Sequence, residues 1–345
     1  LGMGLGTLFS GPLSDAYGRK PLILWPYAVF SVGALVSAFA PTLEILLAGR
    51  FIQGIAVAGP RIAAMAMVRD VYSGPKMAAI MSMAMMVFGL VPAIAPLLGQ
   101  TIMLVLNWHG IFYSMIAFAL IASLWLGLRQ PESHPPEGRR PMKVASLWEA
   151  TKYAFSNRVF RYTVSVQNML YAALFTQISL IQPVFDLYYG IPEKFPIAFA
   201  VIAVITMSAS FINARIVARL GMRKIIQTAL LGQVLFAALV TTVLVTTGAL
   251  PFWLFFLWAI SVMFMVGFTL GNLNALGMEP MGKIAGMAAS ISGGIATVLS
   301  ALISIVISRG FDGTPLAMTA GVCGCAFAGL VLMRILGPRR ATDAS

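Results

Sequence analysis

Residues 11–20 read GPLSDAYGRK, and PLILWPYAVFSVGALVSAFA follows directly at 21–40. The first stretch combines two glycines with one acidic and two basic side chains, whereas the second carries no charge at all. About 20 apolar residues in a helix, each rising about 1.5 Å, are enough to cross the hydrocarbon of a bilayer. The pair therefore predicts a short charged loop at one membrane face, followed by a membrane-spanning helix.

The composition of the whole chain agrees with a membrane protein. Of its 345 residues 59% are hydrophobic and only 10% are charged, and the mean hydropathy is +0.90. A soluble domain carries about 25% charged residues, which it needs to cover its surface. Soluble enzymes and soluble nucleic-acid-binding domains are therefore excluded.

Apolar runs long enough to cross a bilayer recur along the chain. Backbone groups in lipid must bond internally, and the runs are much longer than the strands of a membrane barrel, so we expect an all-α, polytopic membrane helix bundle. Residues 1–10 are apolar but too short to cross, and they resemble the end of a helix that starts earlier. We expect ten spans, at 21–40, 44–68, 77–105, 108–128, 158–184, 196–218, 224–247, 251–275, 283–308 and 313–336.

The net charge of +12 is explained by topology. If residues 11–20 are cytoplasmic, all but four of the 23 Lys and Arg residues lie on or just inside the inner face. The exceptions are Lys194 and Arg309 outside and Arg50 and Arg61 within a span. This is the positive-inside pattern of membrane proteins, so the charge does not indicate a nucleic-acid partner.

Residues for catalysis or metal binding are scarce. Cys323 and Cys325 are two apart in one apolar run and cannot pair with each other on a helix. His109 and His134 have no Cys, His or carboxylate at metal-ligand spacing. The chain also has no phosphate-binding GxxxxGK[ST] loop and no catalytic triad or paired-carboxylate set within the spans. We therefore expect no enzyme activity, no cofactor and no metal.

The one long polar stretch, 129–157, divides the chain. Two interpretations of its second half remain open: an amphipathic helix at the cytoplasmic interface, started by Ser146 and Glu149 at capping-box spacing, or a flexible tether. We expect an incomplete N-terminal bundle at 1–128, the linker at 129–157, and a six-helix bundle with a short tail at 158–345. ARLGMRK at 218–224 occupies the slot in the second half that GPLSDAYGRK occupies in the first, which indicates an internal repeat.

GPLSDAYGRK also resembles the cytoplasmic motif between the second and third helices of the major facilitator superfamily. The resemblance implies two six-helix halves, with the first helix and part of the second missing from this chain. It also implies a cytoplasmic gate in which Asp15 and Arg19 hold the halves together, with Asp70 as a natural partner. The alternative is that Arg19 and Lys20 only fix the orientation of the chain in the membrane. The candidate gate residues are Gly11, Asp15, Gly18, Arg19, Lys20 and Asp70.

Arg50 is the second candidate. A charge a third of the way into a span is costly and should face the bundle interior or water, unless it reaches outward to the interface. No acidic residue of the chain lies at that depth, so its partner is expected in the missing helix. RFIQG at 50–54 resembles the fourth-helix motif of the superfamily, which implies a role for Arg50 in proton coupling. Arg61, after Gly59 and Pro60, is a weaker candidate.

The 77–105 span carries a further pattern, GLVPAIAPLLGQ at 89–100. Pro92 and Pro96 lie on one helix face with Gly89 and Gly99 nearby, which predicts a bend and a close helix crossing, or else a merely tolerated kink. The pattern resembles the proline-rich antiporter motif of the fifth helix in Bcr/CflA-type multidrug efflux transporters. LGNLNALGMEPMGKIAGMAASISG at 270–293 resembles the tenth-to-eleventh-helix region of the same group.

Polar side chains without charge mark the second half. Asn168, Tyr171 and Phe175 share one helix face, and together with Asn272 they are the candidate wall of a substrate cavity. Gln167, Gln177 and Asn274 are further candidates. For each residue taken singly, hydrogen bonding between helices is the alternative role.

The family resemblance implies proton-coupled export of small lipophilic or amphipathic compounds by alternating access. Small-molecule substrates, protons and the lipid bilayer would be the partners, and the protein would be a monomer in a bacterial inner membrane. Two other functions remain open: a proton-coupled importer on the same fold, and a membrane scaffold or sensor that does not transport.

Overall fold

The computed structural model describes residues 1–139 and 144–337, and the structure is all-helical, with no strand in those ranges. Short 3₁₀ turns lie at Pro136–Gly138, Pro192–Lys194 and Glu279–Ile284, and one π-helical turn lies at Val184–Tyr188. The α-helices are α1 (Gly2–Tyr17), α2 (Pro21–Ala38), α3 (Leu43–Val71), α4 (Gly74–Leu106), α5 (His109–Arg129), α6 (Val144–Ser156), α7 (Arg158–Pro183), α8 (Phe195–Leu220), α9 (Met222–Thr247), α10 (Phe252–Met278), α11 (Ala285–Ser308) and α12 (Leu316–Leu336).

Within the described residues, nine helices are long and apolar enough to cross a membrane: α2, α3, α5 and α7 to α12. These correspond to nine of the ten expected spans. The tenth, 77–105, lies in the single helix α4, whose described apolar stretch is Ile94–Leu106. The prediction of an all-α polytopic bundle is confirmed.

The charged stretch at 11–20 is only partly a loop, so its assignment as a ten-residue loop is wrong. Helix α1 continues through Pro12 to Tyr17, and only Gly18, Arg19 and Lys20 connect it to α2. Gly18 ends the helix at φ 101°, a conformation that side chains with a Cβ rarely adopt. The true turn is therefore three residues long, and it places Arg19 directly beside the last turn of α1.

Contacts between Cα atoms divide the chain into two compact units. Unit 1 comprises Leu1–Val91, Leu97–Thr151 and Gly286–Val298. Its helices α1 and α2 both pack along α3, and α5 packs along α2. At Gly33 and Gly49 the α2 and α3 backbones come so close that a Cβ on either would lie 2.8 Å from the carbonyl oxygen of the other. Small residues thus permit close packing in this unit, as they do in other membrane helix pairs.

Unit 2 comprises Pro92–Pro96, Lys152–Ala285 and Leu299–Ser345. Helices α7 and α9 each pack on α10 and α12, and α8 packs on α10. The core holds large side chains that are fully buried, among them Phe160, Phe185, Phe255 and Trp258. The division between the units falls inside α6, between Thr151 and Lys152.

The second half of the linker contains the helix that one interpretation of the sequence expected. Along α6, Ala150 and Ala154 are buried while Trp148 and Tyr153 are exposed, so the helix has one packed face and one aromatic face. The Ser146 side chain, expected in a capping box, lies outside the described residues.

Candidate functional site

Arg19 is the centre of a polar cluster at the end of α1. Its Nη1 donates to Asp15 Oδ1 at 2.6 Å and to Ser14 Oγ at 2.8 Å, and its Nε donates to Asp70 Oδ2 at 3.0 Å. Asp70 is in the last turn of α3, so the guanidinium ties α3 to α1. Three of the expected gate residues therefore meet in one network, which also includes Ser14, a residue that the sequence did not single out.

Arg19 is 9% exposed, and burial by itself would lower its pKa. Hydrogen bonds and charge from Asp15 and Asp70 outweigh that effect and raise the pKa of Arg19 above its ordinary value. Arg19 therefore keeps its positive charge throughout the physiological pH range and does not itself act as a pH switch.

Glu132, in the linker after α5, supports the same turn from the other side. Its carboxylate accepts the backbone N–H groups of Arg19 at 3.0 Å and Lys20 at 3.1 Å, 113 and 112 residues away, and those of Ser133 and His134 at 2.9 Å each. Burial would raise the pKa of Glu132, but the four backbone donors outweigh it and lower the pKa. Glu132 is thus a brace that holds the α1–α2 turn against the linker.

We predict that Glu132→Ala speeds amide hydrogen exchange at Arg19 and Lys20 about fivefold or more, the loss expected for a hydrogen bond of about 1 kcal/mol. Because the folded pKa is lowered, the brace is present above the ordinary value of 4.5 and is lost as pH falls through the folded value. In the wild type, exchange corrected for its intrinsic rate should therefore show constant protection above pH 5. Glu137→Ala, in the same linker, is the matched control. Unchanged protection of Arg19 and Lys20 in Glu132→Ala would contradict the role of Glu132 as a brace.

Of the other expected gate residues, Gly18 and Lys20 lie in the same turn, and Gly11 lies about two helical turns earlier in α1. Lys20 Nζ donates to the carbonyl of Gly127 in α5 at 2.8 Å. A Cβ on Gly18 would meet Glu132 Oε2 at 2.6 Å, which is a second reason for glycine there. A Cβ on Gly11 would lie 3.0 Å from Ser290 Oγ of α11, so α1 and this part of α11 pass closely within unit 1.

Arg50 lies in α3, seven residues from its first residue. Its side chain is exposed, and its Nη1 donates to Gln53 Oε1 at 2.8 Å. Gln53 itself is 2% exposed, and its Nε2 has no partner among the described residues. Arg61 is eleven residues further along, about three helical turns, so the two exposed arginines share one face of α3. This part of α3 therefore carries a positively charged face within an apolar helix.

The expected bend in α4 is described only in part. Gly89 and Pro92 lie in α4, but their side chains lie outside the described residues. Pro96 is half-buried, and a Cβ on Gly99 would meet no described atom within 4 Å. The described atoms thus show no close helix crossing at Gly99, and the expected bend and crossing of this motif stay a prediction.

The candidate cavity wall on α7 consists of Asn168, Tyr171 and Phe175, whose spacing places them on one face of the helix. The rings of Tyr171 and Phe175 lie 5.9 Å apart at 30°, and both are half-buried. Asn168 is 7% exposed, and its Oδ1 has no partner among the described residues. Asn272 is bound differently: its Nδ2 donates to Asn213 Oδ1 of α8 at 2.9 Å and to the Phe268 carbonyl at 2.8 Å. Asn213, which the sequence did not single out, thus joins α8 to α10.

The glutamines of α7 bond between helices. Gln177 Nε2 donates to the Ala259 carbonyl of α10 at 2.9 Å, and Gln177 is fully buried, so of the two roles left open for it the structure shows hydrogen bonding between helices. Gln167 Nε2 donates to Asn274 Oδ1 at 3.0 Å. A side-chain amide in hydrocarbon needs hydrogen-bond partners, and both glutamines find theirs on α10. Hydrogen bonding between helices, the alternative role, is therefore what these contacts show.

Metal binding in proteins depends mainly on His, Cys, Asp and Glu side chains. Among the described residues no group of three or more His, Cys, Asp or Glu side chains is placed to hold a metal ion. Cys323 is half-buried and Cys325 is buried, and both are free thiols in α12.

Solved structures and relatives resemble this chain over most of its length. The D-xylose-proton symporter superposes with a TM-score of 0.73 at 14% identity, covering 97% of this chain and 84% of that one. The human organic anion transporter MFSD10 gives 0.65 at 18% identity, covering 96% and 81%. At these identities the likeness shows the fold alone.

Two curated relatives are closer in sequence. The bicyclomycin resistance protein homolog of Haemophilus influenzae is 31% identical over 329 residues, covering 93% of this chain and 81% of that protein. The multidrug resistance protein MdtL of Klebsiella pneumoniae is 30% identical over 345 residues, covering 98% and 84%. The family model of the Major Facilitator Superfamily matches residues 1–304. The names of these relatives are consistent with the Bcr/CflA-type efflux group. The chain is therefore a multi-pass membrane protein of the major facilitator superfamily.

Proposed function

We propose that this protein exports small lipophilic or amphipathic compounds across a bacterial inner membrane in exchange for protons, and that it works as a monomer. The observation that carries the proposal of drug export is the match, over almost the whole chain, to relatives named for bicyclomycin and multidrug resistance. Members of the superfamily are in general transporters of small molecules and not enzymes, which supports the same proposal.

The proposal of proton coupling is supported by Arg50. A fixed positive charge lowers the pKa of any carboxyl group that approaches it, and so favours release of a proton there. Arg50 presents its charge on an exposed face of an apolar helix, and its described hydrogen bond is to the neutral amide of Gln53. The guanidinium is thus able to act on a carboxyl group that titrates during the transport cycle.

The proposal of alternating access is supported by the cluster around Arg19. Its hydrogen bonds to Asp15 and Asp70, together with the brace of Glu132, join the ends of three segments that are far apart in sequence. We propose that this cluster is intact when the cytoplasmic side is closed and breaks when it opens. For the substrate we propose a wall formed by Asn168, Tyr171, Phe175 and Asn272, which offers aromatic faces and an amide oxygen without a partner.

Accumulation of a fluorescent lipophilic cation in cells tests the direction of transport. Cells that produce the protein should hold several-fold less dye than cells without it, and a protonophore should abolish the difference. An importer would produce the opposite sign, with more dye in the producing cells. A scaffold or sensor would leave dye levels equal in both strains.

A further inference from the structure

Unit 2 has a cavity that is separate from the candidate substrate wall on α7. It measures about 520 Å³ and lies where α8 and α9 pack side by side on α10. Ile205 of α8 and Leu257 of α10, which line it, are 38% and 49% exposed, so the cavity opens at the surface of the unit. Its size falls within the range of about 300–1,000 Å³ that is common for small-molecule sites.

The cavity lies at hydrocarbon depth and is almost wholly apolar. Gln233, which lines it, is near the middle of α9, and Phe264 and Phe268 of α10 add two rings 6.1 Å apart. An occupant must therefore be a molecule that dissolves in the bilayer. Water is poorly suited, since an apolar cavity offers it few hydrogen-bond partners.

One polar group of this cavity has hydrogen-bonding capacity to spare. Ser261 Oγ lies within hydrogen-bond distance of two acceptors, Gln233 Oε1 at 3.0 Å and the Trp258 carbonyl at 2.7 Å, and donates its single proton to one of them at a time. Gln233 is 3% exposed, and its Nε2 has no partner among the described residues. An amide N–H without a partner at this depth is costly, so a ligand that brings an acceptor oxygen gains more here than a pure hydrocarbon does.

The α9 wall leaves room for such a ligand at Gly232. A Cβ at this position would meet no described atom within 4 Å, and Gly232 is exposed next to the buried Gln233. A helix in lipid has no need of glycine where no neighbour comes close, and glycine lowers helix stability relative to most residues. The free space beside the amide therefore belongs to the cavity.

We propose that this cavity is a second binding site, which takes a bilayer-dissolved, mostly apolar molecule with a carbonyl or ether oxygen that accepts the N–H of Gln233. The inference does not depend on which compound the protein exports or on the ion that drives export.

Photolabelling of the purified protein in lipid nanodiscs tests this site, with two probes that separate the possible sources. One probe is a phosphatidylcholine with a diazirine in its acyl chain, and the other is an alkylbenzophenone, an apolar solute with a single carbonyl oxygen. Mass spectrometry should find labelling enriched on the α9 peptide around Gly232. Enrichment by the phosphatidylcholine identifies a bilayer lipid as the occupant, and enrichment by the benzophenone identifies a dissolved solute.

Two variants probe the site itself. Gly232→Leu fills the cavity and Gln233→Leu removes the amide, and each should lower the enriched labelling about fivefold or more, the effect of losing one neutral hydrogen bond or its equivalent in contact. Gly271→Leu, at another open glycine outside the cavity lining, should leave labelling unchanged. Thermal unfolding checks that all three variants fold. Labelling equal to that around the exposed Val245 near the end of α9, or labelling indifferent to both cavity variants, would overturn the proposal.

Discussion

Arg50→Ala is expected to abolish proton-driven export while the protein still folds. The guanidinium is exposed and bonded to Gln53, so its removal leaves no ionic partner unpaired in the described unit and costs little stability. What is lost is the fixed charge that, in the proposal, favours proton release from a carboxyl group that approaches Arg50 during the transport cycle. A loss of about 3 kcal/mol of that stabilisation corresponds to a rate lower by about 100-fold. Dye efflux from energised membrane vesicles measures the effect.

The design includes two comparisons for Arg50. Arg50→Lys keeps the charge but loses the planar fork of donors, so we expect partial activity. Arg69→Ala removes an exposed arginine from the far end of the same helix, where its side chain bonds to the Met65 carbonyl, and should export normally. Export by Arg50→Ala at the rate of the Arg69→Ala control would contradict the role of Arg50 in coupling.

Arg19→Gln is expected to shift the protein toward the state that is open to the cytoplasm. The substitution leaves Asp15 and Asp70 without their shared cation, and breaking such a partly buried ion pair costs about 2–4 kcal/mol. If that cost falls on the closed state alone, the ratio of open to closed states rises about 30-fold or more. Export should fall at least tenfold because the cycle must return through the closed state.

Cysteine labelling reports this shift directly. Ser290 of α11 lies against Gly11 of α1, about two helical turns before the Arg19 turn, and we expect a cysteine placed there to become more reactive if α1 moves away when the turn opens. In a background without Cys323 and Cys325, Ser290→Cys should react with a hydrophilic maleimide several-fold faster when combined with Arg19→Gln. Arg129→Gln removes a charge whose guanidinium stacks over Trp125 instead, and should not change the rate. Equal rates in both variants would show that the Arg19 cluster is no latch.

The membrane fold was largely predictable because hydrophobic length is a strong and local signal. Runs such as 21–40 and 224–247 needed only their uninterrupted apolar residues, and the helices α2 and α9 follow them closely. The stretch 11–17 was misassigned because glycine and proline usually mark loops. In a bundle, packing of α1 along α3 overrides that preference, and the helix ends only where Gly18 takes its positive φ.

The candidate site was less predictable, and the reason is distance along the chain. The pairing of Arg19 with Asp15 is a contact between neighbouring helical turns, which sequence spacing can indicate. Glu132 contacts the same turn through backbone N–H groups 112 and 113 residues away, and backbone donors leave no mark on residue type. For Gln177 the sequence left two roles open, a cavity wall or a hydrogen bond between helices, and only the position of α10 distinguishes them.

Flux in proteoliposomes under an imposed pH gradient tests the central claim of proton-coupled export most directly. With the protein reconstituted and the compartment that stands for the cell exterior made acidic, a lipophilic cation should move toward the acidic compartment against its own gradient, while protons move the other way. Reversing the pH gradient should reverse the flux, and Arg50→Ala should remove both. Movement of dye and protons in the same direction, or dye movement indifferent to the gradient, would contradict proton-coupled export.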